Sequence, residues 1–298
     1  MFGIHTEINS TKRKQNIINK LLEREQKSEG VINIHRINLQ NVGDYYCAPH
    51  LYFKELNNQN LDISDFRSFK KSVTNNWIDK ISNNDIIIGG GGLFNIKHFK
   101  MQMEMFETLA QKGKKIVLWG AGHNEIDIKN FKKNNNYWFD INKFGLAGTR
   151  DYSFPGEWVP CVSCLNPIFN NQYDEKYEIG LLFNSKSIND KRLTKKFESY
   201  PHSSNTTNLE EMISFIGKCN ILVTNSYHAM YWGILMGKKV VSIPATSKFL
   251  DFKYKTPIAT FDDFETKIKE STRYTGVLEE CREINLKFSE KVFNYLNI

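Results

Sequence analysis

Asp85-Ile86-Ile87-Ile88-Gly89-Gly90-Gly91-Gly92 decides the fold class, because an apolar run of strand length ends in four consecutive glycines. The run places bare backbone at a strand's carboxyl end, where a ligand can touch peptide N–H groups. A stretch of helical character at 101–112 follows. A second apolar strand, Lys115-Ile116-Val117-Leu118-Trp119, then leads into Gly120-Ala121-Gly122. This pattern predicts a strand, helix, strand unit with glycine loops at the end of the sheet where α/β proteins bind ligands.

The alternation continues in both directions. Residues 11–29 carry Ile17, Ile18, Leu21 and Leu22 on one stripe among charged residues, the pattern of a surface helix. A first strand is expected at 31–38. Asn41-Val42-Gly43-Asp44 is a turn opening a helix over 45–56, with Asp44 as a cap or a ligand contact. A helix at 69–82 comes before the Ile86 strand, and a tight loop, 145–151, follows the Ile116 strand. Residues 155–173 hold three prolines and two cysteines with no periodic pattern, which marks a domain boundary. Beyond it, strands at 178–183, 220–224 and 239–243 alternate with helices near 190–199, 209–218 and 227–236, and a long helix at 278–296 closes the chain. The expectation is an α/β protein of two Rossmann-like domains facing across a cleft, with parallel sheets and helices on both faces. Residues 1–30 form the surface helix, 31–160 the first domain, 161–175 a linker, and 176–298 the second domain with its terminal helix.

Composition narrows the function. The 298 residues suffice for about two cores. Forty basic against 33 acidic residues give a formal charge of +7, but the cations are spread along the chain. That spread suits an anionic small ligand better than nucleic acid. No segment approaches the roughly 18 apolar residues of a membrane helix. The five cysteines form an odd set and no apolar leader precedes the first strand, so a cytoplasmic home without disulfides is expected.

Gly120-Ala121-Gly122-His123-Asn124-Glu125 has Glu125 where a dinucleotide fingerprint needs its third glycine. The Gly89 run lacks the lysine of a phosphate loop. Cys161-Val162-Ser163-Cys164 is a single pair, against the four ligands of a structural zinc site. His35 and His98 have no partners in sequence and are expected to be structural. Arg150 is either a surface ion pair or the planar fork that a carboxylate or phosphate requires. Thr224-Asn225-Ser226-Tyr227-His228 ends a strand and opens a helix, where free N–H groups and the dipole favour an anion. Ser226 there is a cap, a ligand contact or both.

In chain order, Asn41-Val42-Gly43-Asp44, Asp85 to Gly92, Gly120-Ala121-Gly122, Thr149-Arg150-Asp151, Val159-Pro160-Cys161 and Ser226-Tyr227-His228-Ala229 resemble the motif series of bacterial polysaccharide pyruvyltransferases. The closing Leu278-Glu279-Glu280-Cys281-Arg282 fits as well, so the resemblance spans most of the chain. It implies a GT-B-like pair of domains and transfer of pyruvate from phosphoenolpyruvate to two hydroxyls of a hexose as a ketal. The acceptor would belong to a capsular, exopolysaccharide or cell-wall glycan, often lipid-linked, with peripheral contact at a membrane's inner face. Phosphoenolpyruvate is then a co-substrate, no cofactor or metal is expected, and the oligomeric state is not fixed.

Residue by residue, Arg150 matches the family arginine that faces the donor, and His228 matches the histidine opening the second-domain helix. The implied donor site is Arg150, Asn225, Ser226, Tyr227, His228 and Lys248; the acceptor side is Asn41, Asp44, Gly89, Gly90, Gly91, Gly92 and His123. His228 would be a general acid or phosphate contact and Asp44 a base for the sugar hydroxyl, with His123 as a weaker second base. Ser226 stands where the family commonly has an arginine. A charge-assisted hydrogen bond contributes about 1.5–3 kcal/mol, so donor binding weakens by one to two orders of magnitude unless Lys248 or Lys253 substitutes. That departure keeps open a GT-B glycosyltransferase using a nucleotide sugar, and a noncatalytic sugar- or nucleotide-binding relative.

Overall fold

The computed structural model describes residues 2–128 and 136–298, with side chains from Thr11 onward. The chain is α/β, with two parallel sheets flanked by helices. The first sheet has the order β2-β1-β3-β5-β6-β7, from β1 (Val31–His35), β2 (Asn60–Asp62), β3 (Asp85–Gly89), β5 (Ile116–His123), β6 (Leu146–Thr149) and β7 (Glu157–Trp158). The short β4 (Gly92–Phe94) pairs with the far end of β5.

Strand periodicity explains why β3 and β5 are apolar throughout. Ile86 and Ile88, with Ile116 and Leu118, enter one core beneath helices Lys71–Asn83 and Lys100–Gln111. Ile87, Val117 and Trp119 point the other way, into a core shared with Phe288, Val292 and Leu296 of the terminal helix Val277–Leu296. A strand buried on both faces has no polar side to alternate with. The terminal helix, which the sequence groups with the second half, therefore lies on the first sheet. Phe288 meets Trp119 edge-on at 5.4 Å and is 1% exposed. Phe288→Ala is expected to remove roughly 3–5 kcal/mol of stability. Urea melts followed by tryptophan fluorescence check it, and a loss under 1 kcal/mol would show that the helix is a loose cover.

The second sheet has the order β11-β10-β8-β9, from β8 (Tyr177–Phe183), β9 (His202–Ser204), β10 (Cys219–Thr224) and β11 (Lys239–Ser242). Its order reverses between β8 and β10, as the first sheet's does between β1 and β3. Such switch points leave crevices beyond the strand ends.

Several expected elements change. The helix expected at 45–56 is only Val42–Tyr46, followed by two single turns, Pro49–Leu51 and Lys54–Leu56, because Pro49 cannot continue a helix. The loop expected at 145–151 contains strand β6, and β5 runs past Trp119 through its glycines to His123. All five cysteines are free and buried. His35 lies against His50, ring centroids 5.1 Å apart, and burial pushes its pKa down to about 3, so it is a neutral core side chain.

Candidate active site

Loops from the carboxyl ends of both sheets meet. Asn205 accepts from the Val42 amide at 3.1 Å and donates through Nδ2 to Asn41 at 3.1 Å, tying the β9 end to the turn after β1. Ser247, past β11, exchanges hydrogen bonds with the Glu125 backbone, 2.9 Å each way, and Asp251 binds the Tyr152 and Ser153 amides. Lys248 is thereby held against the end of the first sheet.

Arg150, at the end of β6, is 1% exposed. Its guanidinium lies 4.0 Å over the Tyr227 ring. Among the described residues its Nε has no acceptor, and its Nη2 reaches only the His123 carbonyl, at 3.5 Å. A buried guanidinium in this state is poorly satisfied, and such groups are expected to have partners. Gly122 makes room for it, because a Cβ there would lie 2.7 Å from the Arg150 side chain and 2.6 Å from Asp151.

His228 lies in the first turn of the helix Tyr227–Leu235, all nine residues of which are buried. The N-cap residue Ser226 makes no side-chain cap hydrogen bond, so the helix's first N–H groups remain unpaired by a cap. Burial, then the charges of Arg150 and Lys248, holds the His228 pKa well below the usual histidine range. The ring is neutral. Burial also pushes Lys248 down to about 8, with Asp44 opposing and Arg150 adding to the shift. Asp44 is raised by burial, against the pull of Lys248, Arg150, Arg36 and a 2.8 Å hydrogen bond from Asn41. Arg150, Lys248, His228, Tyr227, Asp44 and Asn41 thus form one electrostatic cluster.

Other expected site residues are engaged elsewhere. Asn225 uses its amide to hold the β8 loop, accepting from the Asn184 amide at 2.7 Å and donating to Ser187 at 2.6 Å. Ser226 gives its backbone N–H to Thr224 Oγ1 at 3.0 Å. His123 pairs through Nδ1 with Asp151 at 2.8 Å and stacks on Phe154. Lys253 pairs with Glu280, which leaves Lys248, and not Lys253, as the lysine beside His228. The glycine run is packed tightly: a Cβ on Gly90 would lie 1.8 Å from the Cys47 carbonyl, and one on Gly89 would lie 2.4 Å from Pro49. The Gly90 amide donates to the Trp119 carbonyl, so this backbone group is already satisfied. Among the described residues, no group of three His, Cys, Asp or Glu side chains is placed to hold a metal ion.

The model of one family, polysaccharide pyruvyl transferase, matches residues 40–246, well over half of the chain. The chain belongs to that family. It is a transferase enzyme of polysaccharide biosynthesis, with a polysaccharide or sugar acceptor. A comparison with curated proteins found no match. The transferase's cluster lies inside the matched span except for Lys248, which falls just beyond its end. No described helix is long and apolar enough to cross a membrane.

Sequence reasoning missed Gly43 and Cys161 as neighbours of His228. A Cβ on Gly43 would lie 2.1 Å from His228 Nδ1, and Cys161 Sγ is 3.8 Å from its Nε2. Both contacts cross between distant parts of the chain, and no local signal encodes them.

Proposed function

We propose that the enzyme transfers pyruvate from phosphoenolpyruvate to two hydroxyls of a hexose, forming a ketal and releasing phosphate, in a cleft between two GT-B-like domains. The carrying observation is Arg150, buried with an Nε–H unpaired among the described residues, beside a second cation and an uncapped helix start. A small, planar, multiply charged anion satisfies all three at once. Arg150 takes the donor carboxylate or phosphate as a fork, Lys248 supplies the charge that Ser226 does not, and the Tyr227 and His228 N–H groups share the remainder.

Two acts of proton chemistry are needed: a proton must reach the enol carbon, and the sugar hydroxyls must lose theirs. Asp44 suits the second, since a carboxylate of raised pKa is a stronger base. His228 is neutral without ligand, so it first serves as a phosphate contact; the donor's negative charge offsets Arg150 and Lys248 and restores its basicity. The acceptor is then a cytoplasmic-side sugar, free or lipid-linked, with Asn41 and the backbone near Gly92 along its path.

Phosphoenolpyruvate at 100 times its dissociation constant is expected to stabilise the protein by about 2.7 kcal/mol in a thermal-shift titration. Stabilisation by UDP-, GDP- or CMP-sugars without any by phosphoenolpyruvate would replace this reading with glycosyl transfer. A pH dependence follows from Lys248. Its charge is present below about 8 and lost above, so KM for phosphoenolpyruvate should rise up to tenfold per pH unit on the alkaline side. Lys248→Arg should remove that rise. An unchanged alkaline limb in the arginine variant would take Lys248 out of donor binding.

A further inference from the structure

The thiol of Cys161 is 1% exposed and 3.8 Å from His228 Nε2. It is also 3.2 Å from Ser163 Oγ, which accepts at 2.9 Å from the Trp232 indole N–H. Tyr231 Oη, next to Trp232 on the His228 helix, donates to the Cys161 carbonyl at 2.8 Å. Three side chains of one helix, His228, Tyr231 and Trp232, therefore hold the 161–163 turn.

The direction of this chain follows from chemistry. An indole only donates, so Ser163 Oγ accepts from Trp232 and keeps its own hydrogen to give away. Its other polar neighbour is Cys161 Sγ, and Ser163 is 1% exposed. If the thiol donated to Ser163 instead, the serine hydrogen would be buried without an acceptor, a state that proteins avoid. With the serine hydrogen on sulfur, the thiol hydrogen points to Nε2. A neutral imidazole accepting at Nε2 carries its proton on Nδ1.

We propose that Cys161 is a positioning residue for His228. The chain from Trp232 through Ser163 and Cys161 fixes the imidazole as the Nδ1–H tautomer and leaves that N–H, which has no hydrogen bond among the described residues, for the ligand. Burial keeps the thiol protonated, as a donor must be. The other groups facing the ring are the cations of Arg150 and Lys248, the rings of Tyr227 and Trp232 and, from the helix Val42–Tyr46, Gly43 with Asp44 beside it. Among the described residues none of them donates a hydrogen bond to Nε2, so the thiol sets the tautomer.

The first test needs no variant and no turnover. In protein labelled with 15N-histidine at neutral pH, the His228 signals should show a bare Nε2 and a protonated Nδ1. An Nε2–H ring in the unaltered protein overturns the proposal. Cys161→Ala should move the ring toward the other tautomer, and Cys161→Ser, which keeps a donor, should not; an unchanged tautomer in the alanine variant overturns it as well. The kinetic arm rests on the pyruvyl-transfer reading. Cys161→Ala is expected to lower kcat about tenfold, the lower end of what losing a histidine's orienting partner does, with KM for phosphoenolpyruvate little changed and with recovery in Cys161→Ser. Absence of phosphoenolpyruvate turnover in the unaltered protein, alongside the expected tautomer, would remove the pyruvyl-transfer reading and leave the relay standing.

Discussion

Arg150→Met is expected to abolish measurable transfer, a loss of roughly 10²–10³-fold or more in kcat/KM, while leaving the ligand-free protein as stable as before or more so. The two halves have one cause. In the free enzyme the guanidinium is buried, its Nε–H has no acceptor, and its one hydrogen bond to the protein among the described residues is 3.5 Å long. Such a charge is unfavourable until an anion arrives, and replacing an unsatisfied buried charge by an apolar side chain of similar length is commonly neutral or stabilising. Methionine keeps the packing against Tyr227, whose ring lies 4.0 Å from the guanidinium carbon. Arg150→Lys should also fail, because a point charge on a flexible stem cannot supply the parallel N–H pair of a fork. The measurement is phosphate release from phosphoenolpyruvate beside a thermal melt of each variant. A methionine variant that melts many degrees lower would mark Arg150 as a structural residue whose partners form within the protein. Retained turnover would remove it from the donor site.

Much of the fold was legible in single segments. Ile86 to Ile88 and Ile116 to Trp119 are apolar because both faces of their strands are covered, and that pattern survives in any environment. The three-residue strands β2, β4 and β9 are not legible, being too short to show periodicity, and Pro49 breaks the helix that the pattern around it predicts. The glycine run is informative in the sequence, but its reason is not readable there. Gly90 must be glycine because the Cys47 carbonyl occupies the place of its Cβ, a contact set by folding rather than by spacing. The site divides in the same way. Arg150, His228 and Asp44 are motif residues and the structure clusters them, whereas Asn225 and His123 hold neighbouring loops together. The resemblance implies an arginine where Ser226 stands; only the folded chain shows that Lys248 acts on His228 while Lys253 pairs with Glu280.

Gly43→Ala is expected to lower kcat by about 10²-fold although alanine favours the helix in which it sits. Gly43 lies in Val42–Tyr46 with its backbone in the ordinary right-handed region, so an added methyl carries no backbone strain and would gain up to about 1 kcal/mol in helix propensity. The space is the obstacle. The methyl carbon would sit 2.1 Å from His228 Nδ1, 2.3 Å from its Cγ and 2.6 Å from its Cβ. Contact near the root of the side chain cannot be relieved by turning the ring, and Trp232 and Tyr227 pack against that ring at centroid distances of 5.6 Å each. Either the imidazole leaves its place or the turn after β1 lifts from the second sheet, opening the hydrogen bonds that Asn205 makes to Val42 and Asn41. Overpacking of this kind costs about 1–3 kcal/mol. A double-mutant cycle separates the steric cause from any other. His228→Ala frees the space, so Gly43→Ala should be strongly destabilising with His228 present and near neutral once it is gone, a coupling of about 1–3 kcal/mol. Additive effects in the cycle, or full activity in Gly43→Ala, would show that this turn and the histidine are not in contact during catalysis.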